Sequence, residues 1–183
     1  VLVEHFIATH RQAPEELVLD LDATDDAVHG RQEGRFFHGY YDQYCFLPLY
    51  VFAGDELLAS YLRPANVDGA HHAAAVVKLL VKRLRQAWPQ VRITIRADSG
   101  FCRRRLIGWC ERNDVSYVIG LAKNKRLNAL AAEAMAAAQS RYASTGEKQR
   151  GFDEFRYAAG TWPHDRRVIL RYERGAQGSN PRY

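Results

Sequence analysis

The chain has 183 residues, 47% hydrophobic and 26% charged, which is the make-up of a soluble globular domain with a proper core. No apolar run approaches the roughly 18 residues that a membrane span needs, and the opening Val1-Leu2-Val3-Glu4-His5 has no basic signal-peptide region, so a cytoplasmic protein is expected. A net charge of +5 admits a polyanionic partner without requiring one, and three cysteines with no Cys-x-x-Cys pair argue against a disulfide framework.

Leu17-Val18-Leu19-Asp20-Leu21-Asp22 is a short apolar run that reads as a β-strand closed by Asp22. From Tyr44 to Ala53 nearly every residue is aromatic or β-branched, Gly54-Asp55 is a hairpin turn, and Glu56 to Leu62 supplies the returning strand. Pro48 has no N–H for a ladder, so that strand either begins at Leu49 or carries a bulge. From Asp68-Gly69 a helical spacing (Ala73, Val76, Val77, Leu80, Val81, Leu84, Trp88) predicts an amphipathic helix ended by Pro89. Val91 to Asp98 is a second Asp-closed strand, Phe101 to Asn113 a helix, and Val115 to Leu121 a strand. An alanine-rich helix over Asn128 to Gln139, a polar loop over Arg141 to Gly151, and strands over Asp153 to Ala158 and Arg167 to Glu173 complete the reading. Right-handed crossovers make a mixed sheet with the two Asp-bearing strands adjacent the economical topology.

Asp22 and Asp98 are the candidate metal ligands, because carboxylates fixed at strand ends can converge on a hard divalent cation. Strand-end aspartates also serve as turn formers and helix caps, and either residue alone fits that use. Asp20 shares a face with Asp22 and is expected to play a hydrogen-bonded supporting role. Glu33 and Glu111 read as partners in surface ion pairs, and Glu173 as a solvated strand residue. Arg96, Arg103, Arg104, Lys123 and Lys125 are the candidate contacts to a polyanion, since cations beside the carboxylates can meet phosphates. A solvated helix face accounts for the same residues equally well. Phe36, Phe37, Tyr40 and Tyr41 suit hairpin packing or base stacking, and the histidines show no zinc spacing.

Several long stretches occur in one order: Val18-Leu19-Asp20-Leu21-Asp22-Ala23-Thr24-Asp25-Asp26 with His29-Gly30, Glu33 to Tyr41, Cys45 to Tyr50, Arg96-Ala97-Asp98-Ser99-Gly100-Phe101, and Asn180-Pro181-Arg182. Together they resemble the DDE transposases of bacterial insertion sequences, within them the group numbered thirteen-eighty. The resemblance implies an α/β, ribonuclease-H-like mixed sheet flanked by helices, with residues 1–140 a partial catalytic core and 141–183 the start of a β-rich insertion. It implies metal-dependent DNA strand cleavage and transfer, with Asp22 of Asp-Ala-Thr and Asp98 of Asp-Ser-Gly-Phe as catalytic and metal residues. Two Mg²⁺ (or Mn²⁺) ions are implied in the complete site. DNA is the implied partner, with a homodimer in the full-length protein and a nucleoid-associated location.

The family's third ligand is a glutamate on a later helix. The chain begins at Val1 and ends at Tyr183, inside or just after the insertion. It therefore reads as a fragment cut before that glutamate and inactive alone. A non-catalytic DNA-binding remnant and a ribonuclease-H-type nuclease are the alternatives. The second lacks the acidic residue it should carry between Ala70 and Trp88.

Overall fold

Alternation of apolar and polar residues makes Glu16–Ala23 the central strand, β1: Leu17, Leu19 and Leu21 are buried, while Asp20 and Asp22 point the other way. The chain is seen here as a computed structural model that describes all of residues 1–183. Two compact units make it up, Val1–Ile119 and Gly120–Tyr183.

In the first unit, helix α1 (Leu2–Thr9) precedes β1. Three short strands follow, β2 (Asp26–Ala27), β3 (Phe36–His38) and β4 (Gln43–Phe46), and then a hairpin, β5 (Leu49–Ala53) and β6 (Glu56–Tyr61). After them come α2 (Ala73–Ala87), β7 (Arg92–Ala97), α3 (Arg104–Arg112) and β8 (Ser116–Ile119). The five-stranded sheet has the order β6-β5-β1-β7-β8. β5 runs antiparallel to both β1 and β6, whereas β7 is parallel to β1 and to β8. This is the mixed α/β sheet expected from the sequence, with the two Asp-bearing strands adjacent.

One face of that sheet makes the core. Leu19, Leu49, Val51, Ile93 and Ile95 pack with Val77, Leu80 and Leu84 of α2, Leu106 and Cys110 of α3, and Phe6 of α1. Each such large side chain removed from water contributes on the order of 1.5–3 kcal/mol. Burial also pushes the Cys110 thiol up to about 11, so it is inert packing material.

The aromatic run from Tyr44 to Ala53 is not one strand. It breaks at Leu47-Pro48, so that β4 joins β2 and β3 in a separate three-stranded sheet and β5 joins the large one. Of the two ways to accommodate Pro48, the strand start at Leu49 is the one realised. Backbone freed by the break is satisfied by Arg63: Leu47 N–H donates to the Arg63 carbonyl at 2.8 Å, and Arg63 Nε donates to the Leu47 carbonyl at 2.8 Å. Helix α2 starts at Ala73 rather than near Asp68, because Asp68 instead closes a turn by accepting from Ala70 N–H at 2.8 Å. Helix α1, only eight residues long, has no counterpart among the elements read from the sequence.

The second unit contains α4 (Lys125–Leu130), α5 (Ala132–Thr145), β9 (Gln149–Tyr157), β10 (Arg166–Gly175) and β11 (Gly178–Ser179), the strands in the order β11-β10-β9. In place of the expected single alanine-rich helix and polar loop, there are two helices and a longer hairpin. Asn124 starts the first helix by accepting from Leu127 N–H at 3.0 Å, and Gly146, at φ 69°, stops the second. Leu127, Tyr157 and Val168 form this unit's own core. No helix of the chain is long and apolar enough to cross a membrane.

Candidate metal centre

The register of β1 against β7 places the two acidic residues side by side. Leu21 pairs with Ala97, so the next residue on each chain is Asp22 and Asp98. Neighbouring strands lie about 4.8 Å apart. Alternation puts Asp22 on the face of Asp20, and Asp98, whose backbone is still extended, on the face of Arg96. The Asp20–Arg96 ion pair shows that these are one and the same face.

Asp22 is exposed, and neither a hydrogen bond nor an ion pair consumes its carboxylate. Thr24, two residues on, donates to Asp25 Oδ1 at 3.5 Å, with the Tyr41 phenol beside them. Burial, reinforced by the charges of Asp25 and Asp22, pushes that phenol above the usual tyrosine range. Asp25 itself turns away to Gln43 of the small sheet. Asp98 caps the single 3₁₀ turn Ser99–Phe101, accepting from Gly100 N–H at 2.8 Å, and Phe101 anchors that turn in the core. One of the Asp98 oxygens is thus oriented by the backbone.

Three of the sequence-predicted cations have partners. Arg96 Nη2 donates to Asp20 Oδ2 at 2.6 Å, which gives Asp20 the supporting role expected of it. Arg103 donates to Asp68 at 2.6 Å and holds that carboxyl below the usual carboxylate range. Lys123 lies 3.2 Å from Asn180 Oδ1. Arg104 opens α3 and is exposed, and Lys125 is the first residue of α4. Both lysines belong to the second unit.

Glu111 and Glu173 are committed elsewhere, and Glu33 is exposed. Glu111 accepts from the Tyr117 hydroxyl at 2.7 Å. Glu173 lies among Arg171, Arg150 and Lys148 at 2.6, 3.3 and 3.4 Å, with its pKa lowered to about 2 by the Arg171 hydrogen bond and then by Lys148. No group of three or more His, Cys, Asp or Glu side chains converges in the chain. The rings of His71 and His72 pack against each other at a tilt of 57°, with centroids 4.0 Å apart. Sequence reasoning passed over Tyr41's contact with Thr24, and also Asp68 and Arg63 as elements beside the site. Gly69 shows how near they lie: a Cβ built on it meets the Ala23 Cβ at 3.8 Å. Only the pairing of loops after β1 and β6 reveals them, and no local residue pattern signals it.

Two strand-end aspartates in this register, one in Asp-x-Thr and one in Asp-Ser-Gly-Phe, agree with a match over residues 1–183 to the family described as transposase DDE domain group 1. The chain belongs to this family. Among solved structures, the DDE domain is similar to the cryo-EM structure of a piggyBac transposase synaptic complex with hairpin DNA, at 15% identity and a TM-score of 0.48. That likeness covers 90% of this chain and 32% of the other, so the DDE domain spans about a third of the length of that transposase. No curated protein matches the chain.

Domains of this family use divalent metal ions, and the donor set here fits one. Hard carboxylate oxygens, unpaired with any cation at Asp22 and backbone-oriented at Asp98, are the ligand type that Mg²⁺ and Mn²⁺ take.

Proposed function

We propose that the chain is part of the catalytic domain of an insertion-sequence transposase of the group numbered thirteen-eighty, and that Asp22 and Asp98 hold the divalent ions for DNA strand cleavage and transfer. The observation that supports this reading is the β1–β7 register, in which exposed Asp22 and Asp98 are the residues that follow the paired Leu21 and Ala97 at the carboxyl ends of parallel strands. Bound ions supply Lewis-acid stabilisation of the attacking and leaving oxygens of an in-line displacement at phosphorus. Asp22, with neither oxygen engaged, and Asp98, through the oxygen that Gly100 does not bond, are the residues that would hold the ions. Water or a DNA 3′-hydroxyl is the nucleophile. Arg104 is the first unit's exposed phosphate contact, Arg96 and Arg103 would join it only on leaving Asp20 and Asp68, and Lys123 and Lys125 are the second unit's phosphate contacts.

A complete site takes a third carboxylate, a glutamate on a helix, beside the sheet face of Asp20, Asp22 and Arg96. That face is open: Val118, paired with Arg96, is 63% exposed. Residues 141–183 are part of a β-rich insertion, and the full-length protein acts as a homodimer on transposon ends. Mn²⁺ titration of the chain followed by electron paramagnetic resonance tests the site. Binding should occur and should vanish in Asp22→Asn with Asp98→Asn, and an unchanged affinity in that double variant removes the assignment.

A further inference from the structure

We propose that Gly100 is a positioning residue for the metal-binding carboxylate of Asp98, and that it is glycine because any side chain there would displace that carboxylate. The inference rests on the reading of Asp98 as a metal ligand and adds what holds it. Gly30, Gly34, Gly54, Gly146 and Gly178 all have positive φ, but Gly100 does not. Its conformation is open to any residue, so backbone freedom does not explain it. Space does. A Cβ on Gly100 would lie 2.9 Å from Asp98 Oδ1, nearer than real Cβ contacts come, with Asp98 Cγ at 3.7 Å and Oδ2 at 3.8 Å as the next nearest atoms. Every close neighbour is the carboxylate itself, and no core atom is in the way.

The same residue supplies the bond that orients the carboxylate. Gly100 N–H donates to Asp98 Oδ1 at 2.8 Å, so the backbone approaches the oxygen from the side that a methyl group would occupy. Oδ1 is thereby committed to the turn, and Oδ2 is left available for a cation. An alanine would force the carboxylate to rotate and would bend or break that bond. The turn itself would not suffer, because alanine forms helical turns better than glycine does. Gly100 therefore costs the fold a little and serves the site, which is the signature of a supporting residue around a metal ligand.

The test is Mn²⁺ titration of the 183-residue chain and its Gly100→Ala, Asp98→Asn and Gly100→Ala/Asp98→Asn variants, each with a thermal melt. Gly100→Ala should weaken Mn²⁺ by about ten-fold, the lower end of what loss of a supporting bond to a ligand does. Its melting temperature should be unchanged or slightly raised, and in the Asp98→Asn background it should cause no further loss. Wild-type affinity in Gly100→Ala overturns the proposal, as does an equal loss with and without Asp98. A Gly100→Ala chain that fails to fold overturns it too, since the structure places nothing but the carboxylate in the way. If Asp98→Asn alone leaves Mn²⁺ binding intact, the metal-ligand reading falls, and Gly100 falls with it. The Gly100 amide resonance gives a check without altering Gly100: it should move in Asp98→Ala, and a resonance that stays put contradicts the bond.

Discussion

Replacing Arg63 by methionine perturbs the junction on which the first unit's two sheets depend. Arg63 is 2% exposed, and its guanidinium donates to three backbone carbonyls: Leu47 at 2.8 Å, Gly69 at 3.0 Å and His71 at 2.6 Å. It therefore ties the Leu47-Pro48 break to the loop before α2. Hydrogen bonds from a charged donor contribute about 1.5–3 kcal/mol each, so the gross loss is roughly 5–9 kcal/mol. Against that stands the cost of holding a cation out of water with no carboxylate bonded to it, several kcal/mol that methionine recovers. The structure shows this cost directly: Nη2 has no hydrogen-bond partner, and burial lowers the guanidinium pKa from its ordinary value. The net destabilisation of Arg63→Met is about 3 kcal/mol, equivalent to a fall in melting temperature of about 6–12 °C. Urea unfolding followed by tryptophan fluorescence measures it, and Arg63→Lys should lose nearly as much because an ammonium cannot span the three carbonyls. A stability within about 1 kcal/mol of wild type in Arg63→Met would refute the reasoning, because the three bonds would then contribute no more than the burial of the charge costs.

Two further expectations concern charge. Asp68→Asn should release Arg103 for a DNA phosphate while keeping the turn bond to Ala70, so DNA affinity should rise and the logarithmic salt dependence should steepen by about 1; an unchanged slope in a filter-binding series would show that Arg103 stays off the backbone. Glu173 has a folded pKa of about 2 against an ordinary 4.5, so its stabilising contribution is complete above about 4.5 and is lost as pH falls toward 2. Glu173→Gln should flatten acid unfolding across that window, and a variant whose stability tracks wild type from about pH 5 to about pH 2 argues against the cluster.

Part of the site is legible in the residue order because its signal is local. An apolar run ending in Asp-Ala-Thr and another ending in Asp-Ser-Gly-Phe each announce a strand with a carboxylate at its exit, and parallel pairing follows from the intervening helix. The surroundings are not legible that way. Arg96 and Arg103 look like free phosphate-binding cations in sequence, and it is Asp20 across the register and Asp68 across a loop that hold them. Arg63 carries no pattern at all, since its partners are carbonyls, which every residue has. The break at Pro48 could be placed, but a missing donor says nothing about which sheet each half will join.

Hydrophobic period and turn chemistry, properties of neighbours along the chain, already specified the α/β class, the two aspartate-bearing strands and the amphipathic second helix. Tertiary packing alone decided that Leu21 lies against Ala97 and not one residue off, that Asp20 meets Arg96 across the register, and that Gly100 has no room for a methyl group. Such outcomes depend on contacts between β1 and β7, segments far apart in the chain, where a shift of a single position would turn every side chain to the opposite face of the sheet.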